Sequence, residues 1–159
     1  MGAINNAFNQ AAGAVAGAAL AYQHAKESDF SKAITAENAA LVARNQSRAA
    51  DAEANDAYYE ATKEGGLTSQ LAEAETNEAE AKKALDKSMK RKNGAPATMF
   101  KKYTELDAAK EAANQLRDKY KAVEDMIARA NEQKEHAIKA TKIALEAQQK
   151  YQSRWGGNK

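Results

Sequence analysis

The stretch QAAGAVAGAALAY, Gln10–Tyr22, contains no charged residue, although charged residues make up 29% of this chain. The uncharged run extends from Gly2 to Gln23, and His24 is the first side chain that can carry a positive charge. Apolar residues recur in it at alternating spacings of four and three: Ile4, Phe8, Ala11, Val15, Ala18 and Tyr22. This spacing predicts a helix with one narrow apolar stripe.

The run could be a secretory signal that is cleaved from the chain, or a single transmembrane helix. A secretory signal has Lys or Arg before its apolar core, and none stands there. A single transmembrane helix needs about 20 apolar residues. Only the twelve residues Ala11–Tyr22 lack a strongly polar side chain, so one copy would insert poorly.

Two further interpretations depend on close helix packing, and both stay open. In one, a soluble helix packs its small face on a neighbour. In the other, several copies enter a membrane together, since Gly13 and Gly17 form a GxxxG pair that lets helix backbones approach in lipid. The candidate residues for membrane contact or oligomerisation are Gly13, Val15, Gly17, Leu20 and Tyr22.

The composition around the run is that of long helices. Alanine accounts for 39 residues, and there is one Pro. Alanine has the highest helix propensity and a small side chain that lets helices approach closely. We therefore predict an all-α, non-globular fold of long Ala-rich helices with narrow coiled-coil seams, as a helical hairpin or a barrel-forming oligomer.

Two breaks divide the chain. Gly65 and Gly66 suit the end of a helix, where left-handed backbone is needed, and Thr68 is a candidate cap for the next helix. The second break is KNGAPAT, with turn-forming Asn93-Gly94 before Pro96. A weaker break is predicted at ESDFSK, residues 27–32, where Ser28 or Asp29 would cap a new helix. The predicted segments are an N-terminal helix at 1–25, long helices at 26–64, 67–92 and 97–155, and a tail at 156–159.

Apolar stripes are expected in the later segments too. Phe30, Ile34 and Leu41 resume the stripe of the first segment. The second stripe is Leu67, Leu71, Ala74, Ala81 and Leu85. The third is Met99, Tyr103, Leu106, Ala113, Leu116, Tyr120, Val123, Ile127 and Ala130, and Ile138, Leu145 and Gln152 continue it. Stripes this narrow bury too little for an isolated helix, so partner helices are expected.

A basic cluster flanks the second break: Lys90, Arg91, Lys92, Lys101 and Lys102. In one interpretation these cations stabilise the end of a helix through its dipole. In the other they form a basic tip that contacts anionic lipid, or DNA without sequence specificity. Trp155, the single tryptophan, is a candidate anchor against another protein or a membrane interface, or the packed end of the last helix.

Residues for catalysis or metal binding are not evident. The chain has no Cys, and its two histidines, His24 and His136, have no partner at ligand spacing. The carboxylates alternate with lysines, as solvated pairs on helix faces do. We expect no enzyme activity, no metal and no cofactor.

The layout resembles the small internal virion proteins of short-tailed phages and the DNA pilot proteins of microviruses. The shared features are the uncharged start, the long helices such as ITAENAALVARNQSRAADAEAND and IKATKIALEAQQKYQ, and the lack of Cys. The resemblance implies a protein carried inside the virion that leaves with the genome and forms an oligomeric helical conduit through or onto the host envelope. It implies copies of itself, other virion proteins, the host membrane and DNA as partners.

Two alternatives to that function stay open. One is a purely structural coiled-coil adaptor, in a virion or a cytoplasmic assembly, that never meets lipid. The other is an acyl-chain-binding or stress-protective amphipathic helix protein. The last would leave the Gly/Ala-rich start unexplained.

Overall fold

The computed structural model describes residues 2–91 and 95–157, and in these ranges it contains helices and no strand. The helices are α1 (Gly2–Thr62), α2 (Leu67–Met89) and α3 (Pro96–Trp155). The all-α prediction is confirmed. The weaker break at residues 27–32 is wrong, because α1 continues through Asp29 without interruption and joins the segments 1–25 and 26–64 into one helix.

The turn between α1 and α2 depends on its two glycines. Gly65 has φ of 71°, the left-handed backbone predicted for a helix end. At Gly66 a Cβ would lie 2.6 Å from the backbone oxygen of Glu60, so no larger residue fits. Gly66 is the N-cap of α2, and the predicted cap Thr68 lies inside the helix and donates its hydroxyl to the carbonyl of Ala61 at 2.9 Å.

The chain forms two compact units, Met1–Ser47 with Gln133–Lys159, and Arg48–Glu132. In the first unit, α1 and α3 run antiparallel as a helix pair. Arg44 donates to Thr141 at 3.3 Å, and Trp155 donates to Asp29 at 2.9 Å, so residue numbers rise along one helix as they fall along the other.

Alanine supplies the buried apolar residues of the helix pair. Those in the described part of the first unit are Ala40, Ala43, Ala137 and Ala144. The stripe predicted at Phe30, Ile34 and Leu41 is wrong, since about half of each of these side chains is exposed. Helices that approach closely leave no room for a large side chain at the points of contact, so the large residues flank the contact.

The continuation of the third stripe is wrong for the same reason. Ile138 is 64% exposed, whereas Ala137, one residue before it, is 6% exposed. Leu145 is also half exposed, and Ala144 before it is buried. The buried positions Ala130, Ala137 and Ala144 keep a seven-residue spacing along α3.

The second unit contains parts of all three helices. Its buried residues include larger side chains, Leu85 on α2 and Leu106 on α3, together with Ala54, Ala61, Ala113 and Ala130. The predicted stripe of α2 is buried or half-buried throughout. Arg117 of α3 bridges to Glu78 at 3.1 Å and to Glu75 at 3.5 Å on α2. The leucines of α2 thus lie on the buried side of α2 in this unit.

Because α1 and α3 are in close contact, the effect of an Ala→Leu substitution on the free energy of unfolding should depend strongly on its position. Ala40 has no exposed surface, so Ala40→Leu forces a side chain into a filled contact and should lower the free energy of unfolding by about 1–3 kcal/mol. Urea denaturation followed by circular dichroism measures this. The matched control is Ala39→Leu, one residue away and exposed, which should change it by less than about 0.5 kcal/mol. Equal effects of the two substitutions would contradict the alanine contact.

Candidate functional site

Residues 2–21, the N-terminal arm, form the part of α1 that no other helix of the described chain covers. Every one of them is exposed. Within the described residues, the first ring contact to α3 is made by Tyr22, whose centroid lies 4.7 Å from that of Trp155. Because α3 ends at Trp155, α1 continues past it as a bare helix of about 30 Å.

The arm has two different sides. With about 3.6 residues per turn, Ile4, Phe8, Ala11, Val15 and Ala19 fall on one side, which we call the apolar stripe. Phe8 and Val15 are 74% and 70% exposed. The opposite side carries Asn6, Gln10, Gly13 and Gly17.

The candidate residues of the arm therefore do not form one surface. Val15 lies on the apolar stripe, and Tyr22 extends it toward α3. Gly13 and Gly17 face the other way, and a Cβ at either glycine would meet nothing within 4 Å. Leu20 stands seven residues after Gly13, on the same side as the two glycines, and is mostly exposed.

The end of α3 is fastened to α1 by a polar cluster, the latch, made of Tyr22, Asp29, Arg154 and Trp155. The indole Nε1 of Trp155 donates to Oδ2 of Asp29 at 2.9 Å, and Nη1 of Arg154 donates to the same oxygen at 3.1 Å. The guanidinium also lies 4.8 Å from the centre of the Trp155 ring. Trp155, the candidate anchor, is thus held within its own chain.

The latch favours the ionised carboxylate. The hydrogen bond from Trp155 lowers the pKa of Asp29 below its ordinary value, and the positive charges of Arg154 and Lys150 act in the same direction against partial desolvation. Asp29 is buried by its neighbours. Its negative charge is therefore part of what holds the last turn of α3 in place.

A surface depression, the apolar groove, follows one side of the helix pair of the first unit. Its apolar lining is Phe30 and Ile34 of α1 with Leu145 and Tyr151 of α3. The rings of Phe30 and Tyr151 are in contact, with centroids 5.4 Å apart. At one end Arg44 pairs with Glu37 at 3.0 Å, so these two charges neutralise each other.

The basic residues lie at one end of the second unit. Lys90 and Arg91 follow the last turn of α2 and are exposed. The Tyr103 hydroxyl lies 3.9 Å from the sulfur of Met89, which places this end of α2 beside the second turn of α3. There Lys101 is exposed and Lys102 pairs with Glu105 at 3.3 Å. The candidate Lys92 lies outside the described residues.

Residues 2–91 and 95–157 contain no group of three His, Asp or Glu side chains placed to hold a metal ion. None of the helices described combines the length and the hydropathy needed to cross a membrane.

Sequence analysis missed the latch and the apolar groove. It assigned Asp29 to a helix cap, whereas the carboxylate accepts hydrogen bonds across the helix pair. A signal was present, because Asp29 stands seven residues after Tyr22, the last residue of the first predicted stripe, and fourteen before Ala43, which is buried. The groove depends on which residues flank the alanine contact, and the heptad spacing alone does not specify that.

No family model, curated protein or solved structure matches this chain.

The latch predicts an acid-sensitive end of α3. The pKa of Asp29 is lower in the folded chain than its ordinary value, so the ionised carboxylate stabilises the fold. This stabilisation is complete above the ordinary Asp pKa of about 3.9, and it is lost as the pH falls through the pKa that Asp29 has in the folded chain. Trp155 fluorescence should therefore shift to the red on acidification. Asp29→Ala should show the shift already at neutral pH, and no acid step from this group.

Glu27→Ala is the control for the latch, because Glu27 is an exposed acid one helical turn from Gln23 and outside the cluster. It should retain the emission of the parent chain at neutral pH and its acid step. An Asp29→Ala protein with unchanged emission would show that the latch does not hold Trp155.

Proposed function

We propose that this chain is a structural virion protein of the DNA-ejection type, whose copies assemble into a helical conduit on or through the host envelope. The observation that carries the proposal is the N-terminal arm: a helix without charge and without a covering helix in the described chain. An isolated helix with an exposed apolar stripe has little stability in water. Contact with a second apolar surface would stabilise it.

The two sides of the arm suit an assembly in lipid. Ile4, Phe8 and Val15 would face acyl chains. Gly13 and Gly17 would let neighbouring arms approach closely, and the amides of Asn6 and Gln10 would bond across helices or line a watery lumen. This arrangement needs several arms together. It is consistent with one arm being too polar to cross alone.

The second candidate function is a structural adaptor that never meets lipid. The finding that favours it is the hydropathy of the described helices, none of which is apolar enough to cross a membrane. In this case the coiled-coil seams and the arm would serve contacts between proteins only. Vesicle binding separates the two candidates.

DNA is a proposed partner of the basic end in either case. Lys90, Arg91 and Lys101 are exposed cations on one end of the second unit. Cations of this kind attract the phosphate backbone without reading its sequence. A conduit for DNA requires no tighter contact.

The arm is expected to bind vesicles through its apolar stripe. Phe8→Gln with Val15→Gln removes two large apolar side chains and should weaken partitioning by about 3 kcal/mol or more, roughly a hundredfold. Flotation with neutral phosphatidylcholine vesicles measures the bound fraction. Neutral lipid is chosen because the arm has no charge.

The matched control carries the same residues one position earlier, Ala7→Gln with Ala14→Gln, off the stripe. It should float like the parent chain. If the parent chain and both variants stay at the bottom of the gradient, the membrane role fails and the adaptor function stands.

DNA contact at the basic end is expected to depend on salt. Replacing Lys90, Arg91 and Lys101 with Gln should weaken binding to mixed-sequence duplex DNA and reduce the slope of log K against log salt by up to about 2.7. Fluorescence anisotropy of labelled DNA over a salt series measures both.

A second triple variant has the same change of net charge: Lys110→Gln, Lys119→Gln and Lys121→Gln, all exposed on α3 in the same unit. It should leave the slope near that of the parent chain. Equal losses in the two variants would mean that net charge alone attracts DNA, with no basic tip.

A further inference from the structure

The first unit has two helices where the second has three. In the second unit, Leu67 and Leu71 of α2 are half-buried and Leu85 is buried. In the first unit, no third helix of the described chain covers the helix pair. Phe30, Ile34 and Leu145 are left about half exposed along the apolar groove.

We infer that the N-terminal arm of a second copy of this chain fills the apolar groove, as the third helix of the first unit. The inference holds for either candidate function, because it concerns copies of the chain in the absence of lipid. Each copy has both apolar surfaces, the arm and the groove, in its first unit. The arm of one copy and the groove of another would cover each other.

The charges of the two surfaces agree with this pairing. The arm carries no charge up to Gln23. In the groove, Glu37 and Arg44 form a pair, and Arg44 also donates to Thr141. An uncharged helix can therefore enter the groove without leaving a buried charge unpaired. A helix with a charged face would have to bury its charged side chains, and their desolvation is costly.

The lengths also agree. From Phe30 to Arg44 the groove follows α1 for about 21 Å, and the apolar stripe from Ile4 to Ala19 runs for about 22 Å. Four turns of the arm thus match four turns of the helix pair. Small residues between Phe8 and Val15 would let the arm lie close to α1 and α3.

The arm cannot fill the groove of its own chain. It continues α1 without a break, and α1 already forms one wall of that groove. The occupant must come from another copy. Pairing between two arms would leave Phe30, Ile34 and Leu145 in water, whereas an arm in the groove removes apolar surface of both kinds from water. A contact between two different surfaces can also continue from copy to copy and build a ring or a filament.

Disulfide trapping tests this contact in the full-length chain without lipid. The chain has no Cys, so only introduced thiols can react. Val15→Cys on the arm is mixed with Ile34→Cys in the groove, one of them carrying a mass tag, and oxidised. Both positions are exposed, so folding is preserved. When the arm lies in the groove, the two thiols react at an effective concentration near millimolar. The yield of mixed dimer should therefore exceed the yield from random collisions at micromolar protein by roughly tenfold or more.

Two controls decide the outcome. Val15→Cys mixed with Ala39→Cys, which is exposed and off the groove, should give only the collision level. Equal yields from this mixture and the test mixture would overturn the inference, as would the absence of any mixed dimer. The second control is Ala12→Cys alone, on the side of the arm beside Phe8. If it forms dimers and the test mixture forms no mixed dimer, the arms pair with each other, and the inference is overturned as well. Since no vesicle is present, a failure here leaves the flotation result untouched.

Discussion

The structure depends on alanine at the positions where helices come closest. In each unit the buried residues are mainly alanines at heptad-like spacing, for example Ala40 and Ala43 in the first and Ala54 and Ala61 in the second. Each buried methyl contributes only about 0.8 kcal/mol. The gain comes from many such contacts and from the low conformational cost of alanine in a helix.

This constraint explains why so many large apolar side chains are exposed. A contact made of alanines has no room for leucine or phenylalanine, which must flank it. Phe30, Ile34 and Leu145 therefore border the contact between α1 and α3 and form the groove. In the second unit the leucines of α2 add to the buried apolar surface. The exposed residues of the first unit are thus a consequence of the packing that stabilises it, and they are also the surface proposed for a second copy.

A uniform alanine stripe does not by itself fix how two helices align. Sliding one helix by seven residues would leave alanine against alanine. The latch opposes this, because the carboxylate of Asp29 meets the indole of Trp155 and the guanidinium of Arg154 in one alignment only. A shift would leave a desolvated carboxylate without donors, which is costly. The latch also defines where α3 ends on α1, and so where the bare arm begins.

The sequence by itself determined the all-α fold and the two breaks between its helices, but it also predicted a break at 27–32 through which α1 continues. Alanine content, the glycine pair at 65–66 and the proline at 96 are local signals, and local signals are sufficient for helices of this kind. Tertiary structure decided which side of each helix is buried. Reading the largest apolar residues as the core placed Ile138 and Leu145 inside, whereas the fold buries Ala137 and Ala144 beside them. The physical reason is that seven-residue spacing identifies a helix side only to within one or two residues, and the distance between the two helices then selects the smallest side chains for the contact. The same distance left the apolar groove open, and the end of α3 at Trp155 left the arm uncovered, neither of which is written in any local motif.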